Sequence, residues 1–278
     1  MSGKKTKVRL DVLAVERGLL PSRQAAQAAI IDGGVLVDGV KIDKPGTPVS
    51  TDVQLTLTKD WQPGKYVSRG GLKLEKALTE FGTDVSGRTC LDVGASTGGF
   101  TDCLLQHGAR HVYAIDVGYG QLDWRLRQNE KVTVKERMNA RYMTADQLYG
   151  DAKPWADFAV FDVSFISLTK VLPGCIALLE SPCDLIALVK PQFEAGRAEV
   201  GKGGVVRSAK THEAVLKEVI AASAQHGLLA AALTHSPVKG PSGNIEFLLL
   251  LQQPRAGLAT VAESDVTWAV EQAHALLS

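Results

Sequence analysis

Asp92-Val93-Gly94-Ala95-Ser96-Thr97-Gly98-Gly99-Phe100 decides how the chain folds. An apolar run, Thr89–Val93, leads into it, and a helical pattern starts at its end. A strand that breaks at a Gly-rich turn and restarts as a helix opens an α/β sheet. Ligands of such sheets bind in the crevice outside the carboxyl ends of the strands. Glycines in the turn let the backbone bend sharply and approach a ligand closely. The next apolar run, 112–116, ends in Asp116, where a carboxylate can accept hydrogen bonds from ribose hydroxyls.

This arrangement suits an adenosine-containing cofactor. A dinucleotide fingerprint reads G-x-G-x-x-G, with helix N–H groups turned to a pyrophosphate. Here the glycines read G-x-x-x-G-G, and position 96 is Ser. Preceded by Asp92, that spacing is the pattern of S-adenosylmethionine binders, whose cofactor has no phosphate and carries a positive sulfonium. The candidate cofactor contacts are Asp92, Gly94, Ser96, Gly98, Gly99, Phe100 and Asp116. A nicotinamide dehydrogenase and an incidental Gly-rich turn are the competing readings; the acid on schedule after the second strand weighs against the latter.

Outward from this stretch, apolar runs at 89–93, 112–116, 132–136, 158–162, 184–189, 229–233 and 245–251 read as strands. Helical patterns lie over 70–81, 168–179, 211–226 and 265–277. The alternation predicts an α/β, Rossmann-like sheet that is mostly parallel, with its last strand antiparallel. Four charged residues then stand where they can converge. Asp162 ends the fourth strand, Lys190 ends the fifth, and Glu246 begins the last after the turn Ser242-Gly243-Asn244. Lys73 lies on the helix before the first strand. Charges at the ends of apolar strands are costly unless paired, so a mutual cluster beside the cofactor is expected. A purely structural ion-pair network is the alternative.

The first 60 residues have a different grammar. Leu10, Val12, Leu13 and Val15 suggest a short helix, and Ser22 is placed to cap a second over 23–31. Asp38-Gly39 between Val35-Leu36-Val37 and Val40-Lys41-Ile42 signals a hairpin, because both turn positions need positive φ. Another strand is expected at 53–57. Residues 59–65, with Trp61, Pro63 and Gly64, read as a connection. The chain therefore divides into a small α+β domain at 1–60, a linker at 61–66 and the α/β domain at 67–278.

Composition narrows the class. Hydrophobic residues make up 45% of the chain, enough for a real core, and the net charge is only +1. Residues 1–66 carry ten Lys/Arg against seven Asp/Glu, a local excess that a solvated surface explains as well as a nucleic-acid site does. Cys90, Cys103, Cys175 and Cys183 form no C-x-x-C pair, and no His stands at zinc-finger spacing, so neither disulfides nor a metal are expected. Residues 1–9 are polar and basic with no apolar stretch behind them, and no run reaches the roughly 18 apolar residues of a membrane span. A cytoplasmic protein is expected. Its oligomeric state is not legible.

Two resemblances sharpen these readings. Arg9-Leu10-Asp11, Ser22-Arg23, Ala26, Ile30, the run from Asp32 to Gly39 and Lys44-Pro45 resemble the RNA-binding domain of the ribosomal protein S-four type. That resemblance implies that Arg9, Arg23, Lys41 and Lys44 contact RNA phosphates. As single residues, Arg23 and Lys44 are equally readable as ordinary surface charges. The order Lys73–Asp162–Lys190–Glu246 resembles the tetrad of FtsJ-type ribose 2′-O-methyltransferases. The stretches 66–74, 114–122 and 162–167, with the domain in front, make the whole chain similar to the hemolysin-TlyA family of rRNA 2′-O-methyltransferases. The family implies methylation of cytidine ribose in ribosomal RNA or ribosomal subunits, with S-adenosylmethionine as donor.

The residue types suit that chemistry. Alignment of oxygen, methyl carbon and sulfur can lower a barrier by roughly 7–11 kcal/mol in the best cases. A positioned base adds about 10²–10⁴-fold. Lys190 is the expected base, with Lys73, Asp162 and Glu246 positioning it and the ribose. Lys73 would lower its proton affinity while the two acids would raise it, so stabilisation of a developing alkoxide is the other role open to it. Amine methylation fits less well, because the stretch after Asp162 has no proline. Cytosine C5 chemistry needs a nucleophilic Cys, and Cys183 precedes the fifth strand. The Gly-rich segment 193–207, with Arg197, Lys202 and Arg207, reads as a loop over the site that touches RNA or simply faces solvent. Two other classes remain: an RNA-binding assembly module with a silent methyltransferase fold, and a membrane-active hemolysin. No spanning segment or basic amphipathic helix supports the second.

Overall fold

The computed structural model describes residues 7–58 and 65–277; most of the expected linker lies outside the described residues. The N-terminal part runs β1 (Lys7–Arg9), α1 (Leu10–Glu16), α2 (Arg23–Ile31), β2 (Val35–Val37), β3 (Val40–Lys41), β4 (Pro48–Ser50) and β5 (Leu55–Leu57). Ser22 caps α2 by accepting from the Ala25 N–H. The hairpin of β2 and β3 turns at Asp38 and Gly39, both with positive φ. β5 adds to the other side of β2, and β1 pairs with β4 in a separate two-stranded piece. Leu10, Leu13, Ala26, Ala29 and Ile30 pack with Val35 and Val49 into a core of their own.

The second part runs α3 (Gly70–Phe81), β6 (Thr89–Val93), α4 (Gly99–Gln106), β7 (His111–Asp116), α5 (Trp124–Arg127), β8 (Val132–Glu136), α6 (Ala145–Tyr149), β9 (Ala156–Phe161), α7 (Leu168–Ile176), β10 (Leu179–Val189), α8 (Pro191–Glu194), α9 (Ala209–Gln225), β11 (Leu229–His235), β12 (Phe247–Gln252) and α10 (Glu263–Leu277). The sheet order is β11-β12-β10-β9-β6-β7-β8. Pairs from β10 through β8 are parallel, and β12 is antiparallel to both neighbours. The architecture is the expected α/β, mostly parallel sheet with an antiparallel β12.

Side chains alternate across the sheet, so each strand feeds two cores. Leu185, Ala187 and Val189 point to one side, with α7, α9 and α10. Ile186 and Leu188 point to the other, against Leu74, Ala77 and Leu78 of α3 and Phe100, Cys103 and Leu104 of α4. Burying each such aliphatic side chain is worth roughly 1.5–3 kcal/mol. Several boundaries differ from the expected ones. β12 starts at Phe247, so Glu246 lies one residue before the strand it was expected to begin. β9 stops at Phe161, so Asp162 lies one residue past the strand. β10 begins at Leu179 rather than 184, through an irregularity between Leu179 and Asp184 that contains Pro182 and hides the strand's start from a periodicity count.

The chain builds β6, β7 and β8 outward in one direction, then returns to β9 and β10 on the other side of β6. That reversal opens a crevice at the carboxyl ends of β6 and β9, the place where α/β sheets bind ligands.

Candidate active site

The crevice is lined by Gly94, Ala95, Ser96, Thr97, Gly99 and Phe100 from the Gly-rich turn. Facing them are Lys73, Asp162, Ser164, Lys190 and Glu246, with Ser68, Arg69 and Gly70 leading into α3. Ile31 and Asp32 of the N-terminal domain complete one wall.

Strand register brings three of the four expected charges together. Val189 lies opposite Phe247, so the next residues outward are Lys190 and Glu246. Phe161 is paired with both Val93 and Ala187, which puts Asp162 at the same edge. Pro191 helps to end β10: it has no N–H for the ladder and takes the first position of α8. Lys73 arrives from α3, whose Leu74, Ala77 and Leu78 recur at helical spacing and bury one face.

The four side chains form two ion pairs. Lys73 Nζ donates to Glu246 Oε2 at 2.6 Å. Lys190 Nζ lies 2.5 Å from Asp162 Oδ1, an ion pair without the angle of a directed hydrogen bond, and donates to Ser164 Oγ at 2.8 Å. Burial alone would raise the Asp162 carboxyl, but Lys190 and then Lys73 hold it below its ordinary value. Burial would likewise strip the charge from Lys73, yet Glu246 and Asp162 hold it above its ordinary value. Lys73 therefore stays cationic at neutral pH.

On the cofactor side, Gly94 has φ +88°, and a Cβ there would stand 2.7 Å from the Asp162 carbonyl oxygen. The turn can lie against the end of β9 only because this residue is Gly. Ser96, at φ +49°, donates its N–H to Asp116 Oδ2 at 2.7 Å, and Gly118 N–H reaches Oδ1 at 2.6 Å. Each Asp116 oxygen keeps a second lone pair for a hydroxyl. Val117 beside it is 73% exposed and offers an apolar face to a purine. Gly99 packs closely against the start of α3: a Cβ there would meet Ser68 Oγ at 2.4 Å and Gly71 N at 2.9 Å. The Asp116 carboxylate suits a ribose, as S-adenosylmethionine carries.

Three expected cofactor contacts are not among the residues lining the crevice: Asp116, which reaches it through Ser96, and Asp92 and Gly98. Asp92 does not line the crevice; it is fully buried and accepts from Thr101 Oγ1 at 2.6 Å, which ties β6 to α4. Burial pushes its carboxyl up to about 7, against the Thr101 hydrogen bond. Gly98 is also off the crevice; its φ of +98° makes the turn, with Leu122 and Leu126 packed against it. Asp92 is held under the turn by α4, and Gly98 by the leucines packed on it.

The expected RNA contacts split into pairs. Arg9 and Arg23 converge on buried Asp11, which also accepts from Gln27. Burial would raise Asp11, but the hydrogen bonds from Arg9, Gln27 and Arg23 hold it well below the usual carboxylate range. About half of each guanidinium side chain stays exposed. Lys41 and Lys44 are exposed on the hairpin and the turn before β4. In the 193–207 segment, Asn244 holds Val206 N–H and the Gly204 carbonyl, while Arg197, Lys202 and Arg207 face solvent.

Sequence reasoning missed Ser164, Arg69, Asp32 and Phe165. Phe165 has φ +66° and is 87% exposed next to Ser164, an outlier no periodicity reveals. Among the described residues no group of three His, Cys, Asp or Glu is placed to hold a metal, and no helix is long and apolar enough to cross a membrane. All four cysteines are buried, and burial raises each thiol, to about 12 for Cys90, Cys103 and Cys175 and about 11 for Cys183.

Comparison with known proteins agrees with this geometry. Residues 66–253 match the FtsJ-like methyltransferase family, and residues 8–55 match the S4 domain. The YqxC protein of Bacillus subtilis is 50% identical over 98% of this chain and 95% of its own length. The 16S/23S rRNA (cytidine-2′-O)-methyltransferase TlyA of Mycobacterium tuberculosis is 44% identical over 96% of this chain and 98% of its own. A solved structure from Streptococcus thermophilus, named as a hemolysin, is 42% identical, with TM-score 0.74 over 98% of this chain and 97% of that one. Family and crevice together support S-adenosylmethionine as the cofactor. The chain belongs to the FtsJ-like methyltransferases of the TlyA type, with an S4 domain ahead of the methyltransferase domain.

Proposed function

We propose that the protein transfers the methyl group of S-adenosylmethionine to a ribose 2′-hydroxyl of ribosomal RNA, at a cytidine, in the cytoplasm. The observation that carries the reading is the meeting of Lys73, Asp162, Lys190 and Glu246 over one crevice. The cytidine and the ribosomal substrate come from the TlyA relative, and the S4 domain supplies a surface for structured RNA.

When bound, the cofactor supplies a methyl group on positively charged sulfur, an already activated donor. The chain's own residues must align the acceptor oxygen and take its proton. Lys190, held by Asp162 and Ser164, must first release its ammonium proton to solvent; the neutral Nζ then takes the hydroxyl proton as the ribose oxygen gains the methyl group and the donor's carbon–sulfur bond breaks. Lys73, clamped to Glu246, fixes the opposite side of the acceptor site. Cytosine C5 chemistry would need a thiolate in the crevice, and no cysteine lines it.

Incubation with labelled methyl donor and ribosomal subunits, followed by mapping of modified positions, tests the reading. Ribose methylation that Lys190→Ala abolishes while RNA binding persists is the expected outcome. Label on a base, or none from the wild type, overturns it. A base mechanism needs a deprotonated group, so the rate rises with pH from 6 to 9; a flat profile shifts Lys190 to alkoxide stabilisation.

A further inference from the structure

Asp32 belongs to the N-terminal domain, yet it lines the methyltransferase crevice. It is the C-cap of α2, where the helix dipole disfavours an acid. Its compensation comes from the other domain. Asp32 Oδ2 accepts the Arg69 backbone N–H at 3.0 Å, and the Arg69 guanidinium reaches back to the Asp32 carbonyl. The carboxylate side chain is 15% exposed, and Arg69 Nε stands 3.8 Å from it.

Arg69 is the N-cap of α3, and its side chain makes no cap of its own. In a capping box, an acid three residues into the helix accepts the N-cap N–H. Here no local residue does so; Asp32 takes that N–H from across the domain boundary. It also places a negative charge at the positive end of the helix. Burial holds the Asp32 carboxyl above its ordinary value, against Arg69; Lys73, one turn further along the same helix, also favours the carboxylate, while Asp162 opposes it. The start of α3 is packed tightly as well: Gly99 and Tyr66 leave no room for a Cβ on one side or at Gly71.

We infer that Asp32 is a positioning residue of the methyltransferase site, contributed by the S4 domain: it caps α3 and thereby fixes Lys73 in the crevice. The inference rests on the proposed methyl transfer for its functional readout. It means that the RNA-binding domain completes the catalytic geometry as well as delivering substrate. Misplacement of a positioned group by about 1 Å can cost on the order of 10²-fold in rate.

Two measurements on the full chain test it. In Asp32→Ala, amide hydrogen exchange over residues 69–73 rises at least about ten-fold while the C-terminal half of α3 keeps its protection. At saturating subunits and S-adenosylmethionine, the single-turnover methylation rate of Asp32→Ala falls about ten- to a hundred-fold, with both dissociation constants within about two-fold of wild type. Asp32→Asn, which keeps an acceptor for the Arg69 N–H, recovers most of the rate. Unchanged exchange at 69–73 overturns the inference. So does a wild-type saturating rate in Asp32→Ala, or a loss confined to subunit affinity. A wild type that transfers no methyl group overturns the proposed function instead, and the exchange measurement still decides the cap.

Discussion

Replacing Lys73 by Met strands a charge. Glu246 is 1% exposed and is paired with the Lys73 ammonium at 2.6 Å, itself only 10% exposed. Removing one partner of a buried pair costs about 3–5 kcal/mol, because the other charge is left without compensation. For a domain of this size each kcal/mol lowers Tm by about 2–4 °C, so the fall should be roughly 6–20 °C. The double variant Lys73→Met with Glu246→Leu removes both charges and fills the space with apolar atoms. Such replacements range from neutral to stabilising by about 1–4 kcal/mol, so most of the lost Tm returns. Activity does not return if the pair serves the reaction. Calorimetric unfolding beside methyl incorporation reads both quantities. Lys73 is held above its ordinary value, so its contribution is complete below pH 10.5 and is lost only as pH climbs through the raised folded value. The Tm difference should therefore be constant from pH 6 to 9 as far as Lys73 decides it. A single variant that melts within about 2 °C of wild type refutes the burial argument. A double variant with normal activity makes the pair structural only.

Other perturbations separate the remaining parts. Gly99→Ala forces a Cβ to within 2.4 Å of Ser68 Oγ and 3.1 Å of Gly70 Cα, which pushes α3 from α4. Overpacking of this kind costs about 1–3 kcal/mol; melting should show that loss, and methylation should fall further than stability does. Asp92 has a folded value near 7 against an ordinary 3.8, so its contribution is present at low pH and is lost as pH rises through about 7. Asp92→Asn should then gain stability relative to wild type as pH rises from 4 to 8, by at most on the order of 4 kcal/mol, and a constant difference speaks against it. Arg9→Ala and Arg23→Ala should each weaken subunit binding and reduce the salt slope by about 0.7–0.9, with the saturating methylation rate preserved.

Much of this arrangement was legible before any coordinates. The Gly-rich turn and the acids at strand ends are local signals, and a parallel sheet has few ways to connect them. α2 and α3 fall where Ser22 capping and apolar spacing predict them. What stayed hidden depends on distant partners or on very short elements. β1 and β4 are three residues each, too short for periodicity. α5 and α6 are four and five residues long. Asp92 reads as a ligand contact because it stands beside the turn, whereas its burial and its bond to Thr101 depend on α4 and are not visible in the spacing. Asp32 did carry a signal in an acid at the end of a helix, a local rule broken for a partner 37 residues away.

The two ion pairs of the crevice are not equivalent, and the difference supports the proposed roles. Lys73 and Lys190 are equally buried, with side chains 10% and 9% exposed. Their acids differ: Glu246 is sealed at 1%, while Asp162 is 23% exposed toward the crevice. A proton taken by Lys73 would have to travel past a closed carboxylate. One taken by Lys190 meets Ser164 and an Asp162 that borders solvent. Lys73 is suited to standing still, fixed by Glu246 below and by the capped start of α3 behind it. Lys190, between the end of β10 and the start of α8, stands beside the more exposed acid, which is the side expected of the proposed proton acceptor.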